Sequence, residues 1–166
     1  MKQKGPVYIR IGKKNEPVIH KETPDFHIGK AITCMPGKDV CLITTGTLLF
    51  NALRARELLE GNNISARVVH FPTVKPLDLT TLSEVFSQFD TVVTLEEHSL
   101  IGGLGSAIAE WYADVSERRV KLLRLGTRDE FLYTTINQNE ARDYYALSPE
   151  KIADAVKNYT CKGTNS

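Results

Sequence analysis

From residue 39 onward the chain alternates short apolar runs with helical periods. This alternation constrains the fold more than any other feature of the sequence. Val40, Leu42 and Ile43 open a run that ends in Thr44-Thr45-Gly46. A short apolar run bounded by turn formers reads as a fully buried strand. Leu48, Leu49, Ala52, Leu53, Ala55, Leu58 and Leu59 then recur at helical spacing, and Gly61-Asn62-Asn63 supplies the stop. Residues 64–71 read as a second strand and Pro72–Pro76 as a turn. Asp78 or Thr80 is placed to cap a helix carrying Leu82, Val85, Phe86 and Phe89. Residues 91–96 form a third strand, a helix runs from about Gly103 to Val115, and residues 120–126 form a fourth strand. Two helical stretches close the chain, at about 138–146 and 149–159, the second with Pro149 in the first helical position after a Ser148 cap.

Strands and helices in strict succession predict an α/β fold. Such short apolar strands form a parallel sheet buried on both faces. Ligands of such sheets sit beyond the carboxyl ends of the strands, so the loops to examine are 44–47, 71–78, 96–105 and 125–137. The region before residue 39 is less regular. Residues 6–11, Pro-Val-Tyr-Ile-Arg-Ile, read as a strand, whereas Gly12, Pro17, Pro24 and Gly29 break any period in a linker with a short strand at Val18–Ile19. There is no internal repeat and no low-complexity tract.

Composition narrows the function. Its 166 residues make about one domain. With 21 basic and 20 acidic residues the net charge is 21 − 20 = +1, which gives no basic footprint for nucleic acid and no attraction to an anionic membrane. No apolar run approaches the roughly 18–20 residues that span a bilayer, and the charged start lacks the apolar stretch of a secretory signal. Cys34, Cys41 and Cys161 are odd in number and form no Cys-x-x-Cys pair, which points to reduced thiols in the cytoplasm. Cys41 falls in a predicted buried strand, Cys34 in a loop and Cys161 near the terminus, and nothing in the sequence lowers the pKa of any of them.

The richest stretch follows the third strand, from Thr94 to Ser106. Gly102, Gly103 and Gly105 permit tight backbone geometry, and amides at a helix start bind anions. Their spacing matches neither dinucleotide nor P-loop signature. Two readings stand: an anion site, or close packing of the helix on its neighbours. Glu96, Glu97 and His98 form the one acid–histidine cluster. It is suited either to proton transfer or to an ion-paired interface loop, and adjacent side chains diverge, so at most two of the three face one site. His20, His27 and His70 lack metal-ligand spacing. Ser99 and Ser106 lack a nucleophile elbow. Arg10 is suited to clamp a phosphate bidentately or to form a surface ion pair. The residues thus offer no catalytic group and no metal site.

Five segments in order carry a family resemblance: GPVYIRIG (5–12), FHIGKA (26–31), GKDVCLITTG (37–46), ISARVVHFPTVKPLD (64–78) and VTLEEHSLIGGLGSAIAE (93–110). Together they resemble the C-terminal domain of transketolases, especially the C-terminal section of split transketolases. More loosely they resemble 1-deoxyxylulose-5-phosphate synthase and the β-subunits of 2-oxo-acid dehydrogenases. The resemblance implies a three-layer αβα domain with a mostly parallel five-stranded sheet containing one antiparallel strand. It implies that residues 1–12 end a pyrimidine-binding domain, 13–30 form a linker and 31–166 form the C-terminal domain. The enzymes it resembles transfer two-carbon ketol units between sugar phosphates with thiamine diphosphate and magnesium. Those cofactors are held by pyrimidine-binding and diphosphate-binding domains absent from this chain, so the isolated chain is expected to bind no cofactor and to be inactive. Expected partners are those domains or subunits and further copies of the chain. The domain it resembles supports dimerisation, and a regulatory site has been suggested for it. Arg10 resembles an arginine that contacts substrate phosphate, although Ile9 and Ile11 replace the serine and glutamine usual beside it. After Asp129-Glu130-Phe131 the chain has Leu132-Tyr133-Thr134-Thr135 where related chains carry a serine–glycine pair. The alternatives are a stand-alone anion- or effector-binding module and a flavodoxin-like domain.

Overall fold

Val40–Thr44 is buried at every position, as an uninterrupted apolar run requires of a strand covered on both faces. In a computed structural model, which describes residues 4–12, 16–115 and 119–161, this strand is the middle of a five-stranded sheet. The strands are β1 (Ile32–Met35), β2 (Val40–Thr44), β3 (Ala66–His70), β4 (Thr91–Ser99) and β5 (Lys121–Thr127), ordered β1-β3-β2-β4-β5. β1 runs antiparallel to β3 and all other pairs are parallel. The α/β class and the mostly parallel sheet with one antiparallel strand are therefore as expected. The helices are α1 (Leu49–Glu60), α2 (Leu79–Gln88), α3 (Leu104–Val115), α4 (Gln138–Tyr144) and α5 (Pro149–Cys161).

Alternation of side chains along each strand divides the core into two layers. Leu42, Val68, Val93 and Leu95 face one way and pack with Leu49, Ala52, Ala55 and Leu59 of α1 and with Ile152, Ala153 and Val156 of α5. Cys41, Ile43, Val69 and Val92 face the other way, against Leu82, Val85 and Phe86 of α2 and Leu104 and Ile108 of α3. Buried polar groups fasten neighbouring elements within each layer. Asn51 of α1 donates its amide to the Leu147 carbonyl at 2.7 Å, just before α5. Asp78, not Thr80, caps α2: its carboxylate accepts from the Thr81 amide at 3.2 Å and also from the Ala31 amide at 3.0 Å, which fastens the entry to β1.

Four sequence expectations need correction. Residues 6–11 and Val18–Ile19 belong to no strand. β-branched composition signals a strand, but a strand exists only with a neighbour to pair with. Here Tyr8 and Ile11 stand 89% and 83% exposed. Cys34 lies in β1, not in a loop. β1 is short, half-exposed and bulged between Thr33 and Met35, so its apolar alternation is weak. β4 continues through Glu96 to Ser99, past the expected end. The first helix begins only at Leu49, after a 3₁₀ turn at Gly46–Leu48.

His70 ends β3 opposite Thr44 of β2 and Ile32 of β1. Its Nδ1 and the Thr44 Oγ1 are buried with no hydrogen-bond partner among the described residues. Burial first, and then the nearby His20 imidazole, push the His70 pKa down to about 4, with the Thr44 backbone opposing. A base held below its unfolded value stabilises the fold fully above about pH 6.5, and this contribution is lost as pH falls towards 4. His70 is therefore expected to contribute a loss of about 2 kcal/mol of unfolding free energy between pH 7 and pH 5. Urea titrations of the native chain and of His70→Asn at both pH values measure it; the loss in the variant should be smaller by about that amount.

Candidate functional site

The strand order reverses at β2. The chain moves from β2 to β3 on one side and returns to β4 on the other, so the crevice between the carboxyl ends of β2 and β4 is the usual ligand position of a doubly wound sheet. The loops bordering it carry Thr45–Leu48 and the Glu96-Glu97-His98 cluster.

Glu96 is 1% exposed and points towards α3. A helix start leaves several backbone amides without intrahelical acceptors. Here the Leu104 and Gly105 amides donate to the two Glu96 carboxylate oxygens at 2.7 and 2.8 Å. The anion at this helix start is thus a side chain of the chain itself. Glycine is required for it: a Cβ on Gly103 would lie 1.9 Å from Glu96 Oε2, and one on Gly105 would lie 2.7 Å from Thr94 Oγ1 and 2.9 Å from Glu96 Oε1. Gly102, with φ 76°, donates its amide to Ser106 Oγ at 3.0 Å. Close packing therefore accounts for Gly103 and Gly105, whereas Gly102 has open space around it and is favoured by its positive φ. Burial raises the Glu96 pKa, against the opposing pull of the Gly105 and Leu104 amides and the Arg124 charge.

Glu97 turns away from Glu96, into the crevice. Its Oε2 accepts Nη2 and Nε of Arg142 at 2.6 and 2.8 Å and the Thr47 hydroxyl at 2.9 Å. Its Oε1 accepts Gln138 Nε2 at 2.9 Å. Arg142 is 8% exposed, donates also to Thr47 Oγ1 at 3.1 Å, and lies 3.6 Å from Glu16 Oε1. Gln138 donates to Glu16 Oε1 at 3.2 Å. Burial would raise the Glu97 pKa, but the Gln138, Arg142 and Thr47 hydrogen bonds and the Arg142 charge outweigh it and hold it below the ordinary carboxylate value. With these four donor contacts Glu97 is an ion-pair hub. Removing one partner of this partly buried pair leaves the other charge without compensation, at a cost below the roughly 3–5 kcal/mol of a fully buried pair.

Arg10 lies on the outer side of this hub, donating Nη2 to the Glu97 carbonyl at 3.5 Å while remaining exposed. His98 is half-buried with its Nδ1 lacking a partner among the described residues. Burial and the Arg10 charge lower its pKa, with Glu97 opposing. The three consecutive side chains of Glu96, Glu97 and His98 therefore serve three environments. Sequence reasoning missed Thr47, Gln138, Arg142 and Glu16. One signal was present: Asn137 and Glu140 have capping-box spacing, and Asn137 Oδ1 accepts the Glu140 amide at 3.0 Å while Glu140 accepts the Asn137 amide at 2.8 Å. That spacing sets the start of α4 and so the rotation that turns Arg142 inward. A second, shallow groove lies between Val74–Leu79 and the start of α3 and is lined mainly by apolar groups.

These residues do not fit thiamine diphosphate or its metal. Among the described residues no three His, Cys, Asp or Glu side chains converge as metal ligands. The amides at the start of α3 that would cradle a diphosphate are engaged by Glu96. Among the described residues no helix is long and apolar enough to cross a membrane.

Comparison with known proteins agrees with this geometry. The family model of the transketolase C-terminal domain matches residues 29–152. A Methanocaldococcus jannaschii protein named as a transketolase C-terminal section is 40% identical over 92% of this chain and 48% of its own length. The 6-deoxy-6-sulfo-D-fructose transketolase subunit SqwH of a Clostridium species is 41% identical over 94% of this chain and 48% of its own length. Among solved structures, a split gene transketolase described as an inactive β4 tetramer superposes with a TM-score of 0.77 at 34% identity, over 87% of this chain and 47% of that one. The chain spans about half the length of the curated relatives it matches. By fold, by sequence and by the residues that match, this chain belongs to the transketolase C-terminal domain family.

Proposed function

We propose that this chain is the C-terminal part of a split, thiamine-diphosphate-dependent transketolase-like enzyme that transfers two-carbon ketol units between sugar phosphates in the cytoplasm. Residues 1–12 end the pyrimidine-binding domain, 13–30 link it to the rest, and 31–166 form the C-terminal domain. Thiamine diphosphate and magnesium are held by the pyrimidine-binding and diphosphate-binding domains. The observation that carries this reading is the pairing of half-length coverage of the relatives with an uncovered apolar arm. Val7, Tyr8, Ile9 and Ile11 are 45%, 89%, 58% and 83% exposed. Consecutive exposure of this kind is expected of a segment whose neighbour is elsewhere.

The role assigned to the domain itself is scaffolding and subunit association. Both carboxylates at the crevice are committed internally, Glu96 to α3 and Glu97 to Arg142. Neither is placed to activate a cofactor. Similarity to a split transketolase whose β4 tetramer is described as inactive supports self-association without turnover. Arg10 is the residue in this chain assigned to substrate. It is exposed beside the crevice, and its guanidinium suits a phosphate or another anionic head group.

Two measurements test this reading. The purified chain, given thiamine diphosphate, magnesium, a ketose phosphate donor and an aldose phosphate acceptor, should show no turnover, and adding the companion domains should restore it. Turnover by the chain alone would refute the assignment. In the complete enzyme, Arg10→Ala should raise KM for phosphorylated acceptors roughly tenfold or more, the scale of one lost charge-assisted hydrogen bond. It should leave unphosphorylated acceptors nearly unchanged. Equal effects on both classes would remove Arg10 from the substrate site.

A further inference from the structure

The arm bearing Arg10 is fastened to the C-terminal domain at three points, and all three converge on one ion pair. Arg10 Nη2 donates to the backbone carbonyl of Glu97 at 3.5 Å. Gly12 lies so close to Thr47 and Glu16 that a Cβ there would meet Thr47 Cγ2 and Glu16 Cγ at 2.9 Å each. Glu16 accepts from Gln138 at 3.2 Å and sits 3.6 Å from Arg142 Nη2. Thr47, Gln138 and Arg142 are the same three residues that hold the Glu97 carboxylate. Glu97 thus binds the domain with its side chain and the arm with its backbone. A displacement of Glu97 moves the acceptor of Arg10 and loosens the anchor of Glu16 together.

We propose that the Glu97–Arg142 pair positions Arg10 for anionic substrates. The clamp holds residues 10–12 and Glu16 against the crevice between β2 and β4, so the guanidinium is presented from a fixed backbone while the C-terminal domain itself touches no substrate. Arginine is needed at position 142 because its planar fork reaches Glu97 with two donors, shares one with Thr47 and still faces Glu16. A lysine would keep the charge and lose the fork. Pre-organisation of this kind acts on binding, since an anion that meets an already ordered arginine loses less conformational freedom on docking. The inference rests on Arg10 contacting substrate, as proposed above, and gives the C-terminal domain a part in acceptor recognition.

Two variants test it: Glu16→Gln, a mild change on the linker, and Arg142→Lys, which removes the fork. In the isolated chain, nitrogen-15 relaxation should give backbone order parameters near about 0.85 for Arg10, Ile11 and Gly12 and below about 0.6 in either variant, with β2 and β4 unchanged. In the complete enzyme both variants should raise KM for a phosphorylated acceptor at least fivefold, with the loss falling on KM and not on kcat and with unphosphorylated acceptors spared. An arm equally ordered in the native chain and both variants overturns the clamp. Equal losses on both acceptor classes overturn the positioning role and leave a purely structural pair. If Arg10→Ala itself spares both classes while the relaxation result holds, the failure lies with the reading of Arg10 and not with the clamp. Discrimination by Arg10→Ala but not by the clamp variants sinks the positioning inference alone.

Discussion

Two adjacent carboxylates are buried or nearly so at the carboxyl edge of this sheet, and much of the local architecture follows from the need to satisfy them. An ionised carboxylate removed from water must find donors or neutralise. Because consecutive residues of a strand point to opposite faces, Glu96 and Glu97 seek their donors in different layers. Glu96 takes the two free amides at the start of α3, which requires glycine at positions 103 and 105. Glu97 takes the Arg142 guanidinium, which requires α4 to lie across the crevice. One pair of neighbouring residues thereby sets the approach of helices on both sides of the sheet.

The same pair explains what became of the ligand position. In a doubly wound sheet the crevice at the strand-order reversal is a natural cleft, floored by strand ends and flanked by helix starts. Here Arg142, Gln138 and Thr47 fill it around Glu97, and Glu16 closes it from the linker side. On their outer side Glu16, Gln138 and Arg142 line a groove with Phe50 and Asn51. Beside it stands an arm with one arginine and a row of exposed apolar residues.

Much of the sheet was legible in the sequence because its strands are near-continuous apolar runs: Val40–Thr44, Ala66–His70 and Thr91–Leu95 differ in composition but all pack on both faces. The helices were legible through periodicity, and α2 through the Asp78 cap. The failures share a cause. β1 is a short, bulged edge strand whose pairing comes from β3, and residues 6–11 have strand composition without a partner. Strand identity is a property of pairs, and composition describes only one member. At the site, Glu97 and His98 stood out as a cluster, yet Arg142 did not, since a lone arginine on a short helix has no local signature. Its role is set by a contact 45 positions away in sequence.

Function follows from where the unsatisfied surface lies. A catalytic cleft keeps at least one acid or base free to exchange a proton with substrate. In this chain Glu96 and Glu97 hold hydrogen-bond partners, whereas the buried Nδ1 atoms of His70 and His98 lack one among the described residues. Exposed apolar surface lies on the arm, at Tyr8, Ile9 and Ile11, and also at Val18, Ile101, Phe131 and Tyr133. Burying such side chains against a neighbour yields on the order of 1.5–3 kcal/mol each, so the arm favours association over exposure. An exposed apolar edge of this kind has the physical character of a surface made to be covered by a neighbour.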